Sequence, residues 1–348
     1  MDGSSDLSAV NWRVAQGAHM QNVRIVMPTS GPTGGHTGIF VGQGSSLGVS
    51  DVRVERGWNG IWHQAHQQMA YKDIEFFQNT RGMRISGGNV VTITGSTFDA
   101  VYKAVTHDGG CPWIAMVDCK SINSEASFST TQYSSILIDN LERDDDRTVV
   151  EWNNETFLNN TRHVDQFTYA NTYSQRPVYG PNKDGSSKRP GALVQGGKYL
   201  SIVAPNYADK TTSDFINVKD PKQNADRLPG AILTQVNMAG NAAGDVAIWN
   251  SMITFGGTAG SDGINKNCYD NNDERKGALL GLHLSRSSSA YVENTWVWVA
   301  DHNSEGGGAL VQATKGTWLH ALGSKFEEHK RKKQMCFQSK MESVVQKV

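Results

Sequence analysis

The feature that most constrains this chain is a repeat of 22 residues. Val52, Val54, Gly60 and Ile61 recur as Ile74, Phe76, Gly82 and Met83, and then as Ser96, Phe98, Ala104 and Val105. Gly38 and Ile39 fall on the same grid one period earlier, and Cys119 and Leu141 continue it to within one residue. Each period carries an alternating segment such as Val52-Arg53-Val54, a polar turn, and a small residue followed by an apolar one, a pair expected to form a tight corner. A unit this short cannot bury its own apolar face. The stable solution is to stack coils so that equivalent positions pack into continuous interior ladders. Leucine-rich repeats share the period but need leucine ladders, whereas here the ladder is Val, Phe, Ile and Met. The expected fold is all-β: a right-handed parallel β-helix, with five coils within residues 1–145.

Composition agrees with short strands and frequent turns: 36 Gly and only 9 Pro in 348 residues. Thirty-three Lys+Arg against 34 Asp+Glu give a formal charge of −1, so no global field draws the chain to nucleic acid or to an acidic membrane. A neutral substrate suits that balance. Four cysteines are too few for a disulfide framework; Cys111 and Cys119 are close enough to bridge neighbouring coils, and core burial of Cys119 is the alternative. Neither an apolar leader after Met1 nor a run of 18 apolar residues is present, so no signal peptide or membrane span is expected. Sequons at Asn154 and Asn159 matter only in a secretory pathway.

The register fades beyond residue 145. Residues 146–205 read as an irregular connector, 206–325 as a partial second β-helix segment with strand patterning in Val246–Trp249, Leu279–Leu284, Tyr291–Val299 and Ala309–Leu322, and 326–348 as a charged tail with helical character.

Local motifs give little catalytic direction. Gly44-Ser45-Ser46-Leu47-Gly48 fits the G-x-S-x-G pattern, but a nucleophile elbow needs a strand-to-helix turn and β patterning lies on both sides. His63 and His66 lack the spacing of a zinc site, and Asp144–Asp146 and Asn271–Asp273 lack that of a calcium loop. No metal and no cofactor is expected. Aromatic side chains on a solenoid groove would stack on sugar rings, and Trp58, Trp62 and Trp113 are expected at coil corners, as groove residues or as core caps. Glycoside hydrolysis needs two carboxylates, and Asp99, Asp108, Glu293, Asp301, Glu327 and Glu328 are available.

Several separated segments carry a resemblance: Val10–Gln16, Gly244–Trp249, Gly256–Gly260, Tyr291-Val292-Glu293-Asn294-Thr295-Trp296-Val297-Trp298-Val299-Ala300-Asp301-His302, and Gly316–His320. In this order they resemble fungal glycoside hydrolase family 55, exo-β-1,3-glucanases of the pectate-lyase-like superfamily. The likeness implies tandem right-handed β-helices, secretion to the extracellular space, a monomer, and glucose release from β-1,3-glucan with inversion. It implies that Gln16 and Ser45 position the attacking water, that Asp301 belongs to an acidic segment, and that Glu328, before His329, is the Glu-His carboxylate. Relative to the family pattern the early coils of the second helix are missing after Val218, and the sequence after His329 does not continue into the segment bearing the general acid. General acid assistance contributes about 10²- to 10⁴-fold, so weak turnover is expected. The alternatives are a non-catalytic glucan-binding module and a calcium-dependent polysaccharide lyase on the same fold.

Overall fold

The computed structural model describes residues 7–15, 17–31, 34–44, 47–64, 67–132, 135–171, 179–182, 189–205, 208–211, 232–242, 244–255, 280–286, 288–299, 309–313, 318–322, 325–328 and 346–347. It divides into two compact units, residues 1–201 and 202–348.

The first unit is a parallel β-helix with three strands per coil. The first coil is β1 (Ser8–Arg13), β2 (His19–Gln21) and β3 (Arg24–Val26); the second is β4 (Thr37–Gln43), β5 (Leu47–Ser50) and β6 (Arg53–Glu55). The third is β7 (Asn59–His63), β8 (Met69–Lys72) and β9 (Glu75–Phe77); the fourth is β10 (Arg81–Ile85), β11 (Val90–Thr94) and β12 (Thr97–Asp99). The fifth is β13 (Lys103–His107), β14 (Trp113–Val117) and β15 (Lys120–Ile122), and β16 (Ala126–Thr130) and the long β17 (Ser135–Arg143) begin another. Corresponding strands pair in parallel from coil to coil, and β17 closes the second and third faces into one sheet by pairing with both β14 and β15.

Left-handed residues turn the corners, two in each coil after the first. The first series is Asn22, Asp51, Asp73, Gly95 and Asp118, with φ between 53° and 63°. Asn and Asp reach this region more readily than most residues, because their short polar side chains can bond locally. The second series is Arg56, Gln78, Ala100 and Asn123, with φ between 52° and 62°. The Gly-Ile and Gly-Met pairs expected to be corners lie instead inside first-face strands. A Cβ on Gly60 would sit 2.6 Å from the Phe76 ring, and one on Gly82 would sit 2.5 Å from the Phe98 ring. The small residue makes room for a ring reaching across from the third face, where Phe76 and Phe98 stack at 4.7 Å.

Inside the helix run Ile39, Ile61, Met83, Val105 and Phe128, all fully buried. Hydrophobic burial of such ladders is the main stabilising term, at about 1.5–3 kcal/mol per large side chain. Cys119 belongs to this core: its thiol is pushed up to about 12 by burial, and Cys111 and Cys119 are both free, which removes the proposed bridge.

Residues 146–205 are more regular than the sequence suggests. β18 (Thr148–Trp152) adds to the first face in parallel with β16, and β19 (Glu155–Leu158) returns antiparallel to it. β20 (His163–Asn171) runs antiparallel to β17. These reversals place Trp152, Phe157 and Tyr169 in mutual ring contact and end the stack of parallel strands. The acidic run is spent locally: Asp144 accepts the Asn123 backbone N–H, Asp145 pairs with Arg143 and Arg147, and Asp146 with Arg162. Arg143 itself has no exposed side chain and is bonded to Ser121, Ser127 and the Ser124 carbonyl. Further on, Arg189 clamps Asp118 and Asp139 at 2.6 and 2.8 Å while lying over the Tyr199 ring.

The second unit repeats the plan with longer coils. Ile232–Val236, Leu280–Leu284 and Ala309–Ala313 pair in parallel on one face. Ala247–Trp249, Ser289–Glu293 and Trp318–Leu322 form another, and Met252–Phe255, Trp296–Val299 and Lys325–Glu328 the third. Within the stretch 326–348 read as a helical tail, residues 326–328 end a strand, 346–347 form another, and the rest lies outside the described residues.

Candidate functional site

On the first face of the first unit, strand positions do not alternate simply. Gly60, Ile61 and His63 of β7, and Gly82, Met83 and Ile85 of β10, point inward or are buried. Two columns flank that strip. One passes through Thr37, Asn59, Arg81 and Lys103; the other through Phe40, Trp62, Arg84, Thr106, Ser129 and Glu151. They are three residues apart along each strand, which is about 10 Å at the β rise. The result is a shallow trough parallel to the helix axis.

Its walls are paired planes. The Arg81 guanidinium lies 5.6 Å over the Trp58 ring, and Arg84 lies 4.3 Å over Trp62. Phe40 meets Trp62 edge-on at 5.0 Å, and Arg13 lies 5.5 Å over Phe40. Trp62 Nε1 donates to Ser86 Oγ at 2.7 Å, and Arg84 Nε donates to Asp108 Oδ2 at 2.8 Å. Cation–π contacts of this kind contribute about 0.5–2 kcal/mol each and fix the side chains in advance of any ligand. Burial lowers the Arg81 pKa, as does the Arg84 charge, with Asp108 opposing; the group stays protonated at neutral pH. Chemically, these walls offer flat surfaces for sugar rings and rigid N–H donors for hydroxyls.

Of the residues singled out from sequence, the structure brings Trp58 and Trp62 together on this face. Trp62 is mid-strand in β7 rather than at a corner, and Trp58 directly precedes β7. Trp113 opens β14 on the second face, 44% exposed, and does not join them. Gln16, Ser45, Asp301 and His66 lie outside the described residues. Glu328 ends the strand Lys325–Glu328, paired with Val299. Gly44 is followed at Leu47 by a strand and not a helix, so the G-x-S-x-G context of a nucleophile elbow is missing. His63 is buried, bonded to the Tyr71 hydroxyl at 2.9 Å and pushed down to about 3 by burial. Glu293 is likewise interior, accepting from the Tyr291 hydroxyl at 2.5 Å.

The sequence reading missed the arginines. Their signal was available: Arg81 and Arg84 stand one period after Asn59 and Trp62. It could be used only once the inward strip between them was known.

Comparisons with known proteins agree with the fold. The family described as "Rhamnogalacturonase A/epimerase, pectate lyase-like" matches residues 2–106. A glucan endo-1,3-beta-glucosidase of Trichoderma harzianum is 37% identical over 401 aligned residues, covering 87% of this chain and 52% of the relative. A glucan 1,3-beta-glucosidase of Cochliobolus carbonum is 26% identical over 62% of this chain and 30% of its own length. The chain is thus similar to fungal glucan 1,3-beta-glucosidases over most of its length and to the pectate-lyase-like family over residues 2–106. A third relative, a probable glucan endo-1,3-beta-glucosidase of Arthroderma benhamiae, is 31% identical over 28% of this chain and 13% of its own length. The chain spans about half the length of the first of these curated relatives, 52%, and less of the others. An alignment of 401 residues exceeds the 348 of this chain, so the Trichoderma protein carries internal residues with no counterpart here.

Proposed function

We propose that this chain acts on β-1,3-glucan, and that the trough of the first unit is a surface that holds the polysaccharide. The 37% identity to a glucan endo-1,3-beta-glucosidase across 87% of the chain carries the proposal. The paired Trp and Arg planes of the first face support it, because a neutral polyol needs stacking surfaces and hydroxyl partners more than it needs charge. On the family 55 likeness, hydrolysis proceeds with inversion as an exo-acting reaction: Gln16 and Ser45 hold the water, and Asp301 and Glu328 supply acidic groups. Turnover by this chain is slow, because residues 330–348 diverge from the segment that bears the general acid in the family. The protein works outside the cell as a monomer.

Incubation with laminarin, with glucose measured and its anomer followed by NMR from the first minutes, tests this reading. Slow release of α-glucose is expected. Robust turnover would overturn the weakness assigned to the acid, and initial β-glucose would overturn inversion.

A second reading, glucan binding without catalysis, is favoured by one observation. The two carboxylates at the trough, Asp108 and Glu151, are engaged in ion pairs with Arg84 and Lys103. Retention on insoluble β-1,3-glucan with no sugar released would select it.

A further inference from the structure

The trough is open over only part of the first face. At one end Thr37 and Asn59 are buried, 5% and 3% exposed, with Asn59 Nδ2 donating to Thr37 Oγ1 at 3.1 Å. Arg81, one coil on, lies over Trp58. Lys103, one coil further, behaves differently. It stands in the first column but pairs with the second: Nζ is 3.2 Å from Ser129 Oγ and ion-paired to Glu151. Ser129 in turn donates to Glu151 Oε1 at 2.6 Å. Ser129 and Glu151 lie one and two coils beyond Lys103 in register. The lysine stem therefore crosses the strip diagonally.

We infer that the Lys103–Ser129–Glu151 bridge is a bar across the trough that limits the glucan length this face can hold. The inference rests on the trough being a glucan surface. The open stretch between the two tryptophans and Lys103 covers two coil spacings, on the order of 10 Å. A polysaccharide laid along the axis meets the bar and must leave the surface there, so a short oligosaccharide makes every contact that a long one makes. The bar is fixed: Lys103 and Glu151 side chains are only 20% and 13% exposed, and each polar group satisfies another. A half-buried pair is screened less by salt than an exposed one, and its hydrogen bonds are charge-assisted. Lys103 is thus a specificity-determining residue for ligand length.

The test is calorimetric titration of the full chain with linear β-1,3-gluco-oligosaccharides of increasing length, then laminarin. For the unmodified protein, affinity levels off at short lengths. In Lys103→Ala/Glu151→Ala, which removes both charges so that neither is left unpaired, affinity keeps rising with length and exceeds the unmodified protein by about tenfold for the longest ligands. Lys103→Arg keeps the bar and the plateau. If the double variant does not fold by circular dichroism, Lys103→Ala alone carries the same expectation. Parallel length dependence in the unmodified protein and the variant overturns the bar and makes the bridge a structural staple only. No binding of any length by either overturns the glucan reading itself and the bar with it. Arg81→Ala separates the two: it weakens all lengths alike if glucan lies in the trough, and leaves the plateau where it was.

Discussion

The two units share one coil plan and differ mainly at one of its three corners. In both, the second and third strands of a coil are joined by two residues of which the first is left-handed: Asp51, Asp73 and Asp118 in the first unit, Asn250 and Asn294 in the second, with φ between 47° and 56°. The side chains of this corner bond from coil to coil, Asn140 to Asp118 at 2.5 Å and Asn294 to Asn250 at 2.8 Å. The return from the third strand to the next first strand is another matter. It takes the three residues 56–58, 78–80, 100–102 or 123–125 in the first unit; in the second, the sequence between the third-face strands and the next first-face strands is longer, 256–279 and 300–308, and lies outside the described residues. Only the 27–36 return of the first unit is long. A solenoid holds its strands in register through neighbouring coils, so one corner can vary in length while the ladders stay aligned.

The largest effect that would break this comparison lies at the end of the first unit. Arg143 is wholly buried and satisfies Asp145 and three groups of the interior. Arg143→Ala should cost about 4 kcal/mol in urea denaturation, because it leaves the buried Ser121 and Ser127 hydroxyls and the Ser124 carbonyl without this partner, at about 1–3 kcal/mol for each group left unsatisfied. Next is the tight approach that the second unit's longer coils do not advertise. Gly82→Val places a Cβ 2.5 Å from Phe98 and 2.6 Å from the Ala104 carbonyl. It should cost about 3 kcal/mol by overpacking, and Phe98→Ala should recover part of that in the double variant.

Acid should act on the first unit through its buried imidazoles. His63 is pushed down to about 3 by burial, and His19 to about 4 by burial and then by the Lys72 charge. Each is neutral in the fold and becomes protonated in the unfolded chain near pH 6.5. Their stabilisation is therefore complete above that pH and is lost as pH falls from 6.5 toward 4 and then 3, at about 1.4 kcal/mol per pH unit for each ring. Hydrogen exchange of β7 and β8 amides at pH 7 and pH 4.5 measures it, and His63→Gln should flatten the dependence.

How much of this was legible in sequence follows from the same corner. Where the return is three residues, Val54, Phe76 and Phe98 repeat at 22 and the coils can be read by eye. The first coil is 29 residues long because of the 27–36 return, and the second unit's Tyr291 and His320 are also 29 apart. There the strands stood out as patterned segments but the period did not. The role of Gly60 and Gly82 was misread, because a small-apolar pair looks the same at a corner as inside a strand facing a ring. At the candidate site Trp58 and Trp62 were identified, but Arg81, Arg84 and Lys103 were not. Their placement depends on which strand positions face inward, and two adjacent inward positions break the period-2 rule by which a strand is read.

The smallest expected effect is the most direct test of the corner argument. Five Gly/Ser residues inserted after Gly31 lengthen a ten-residue return, and closing the longer loop costs about 0.4 kcal/mol by chain entropy. The same five inserted between Gln78 and Asn79 interrupt a return that is bonded throughout. There Gln78 N–H donates to the Asp99 carbonyl at 3.0 Å, Thr80 N–H to the Gly57 carbonyl at 3.1 Å, and the Asn79 side chain to the Arg56 carbonyl. Each lost bond that leaves a buried group unsatisfied costs about 1–3 kcal/mol, so the second insertion should lower the urea midpoint clearly while the first barely moves it. If both insertions cost the same, the short returns carry no structure of their own, and the difference between the units must lie in the strands.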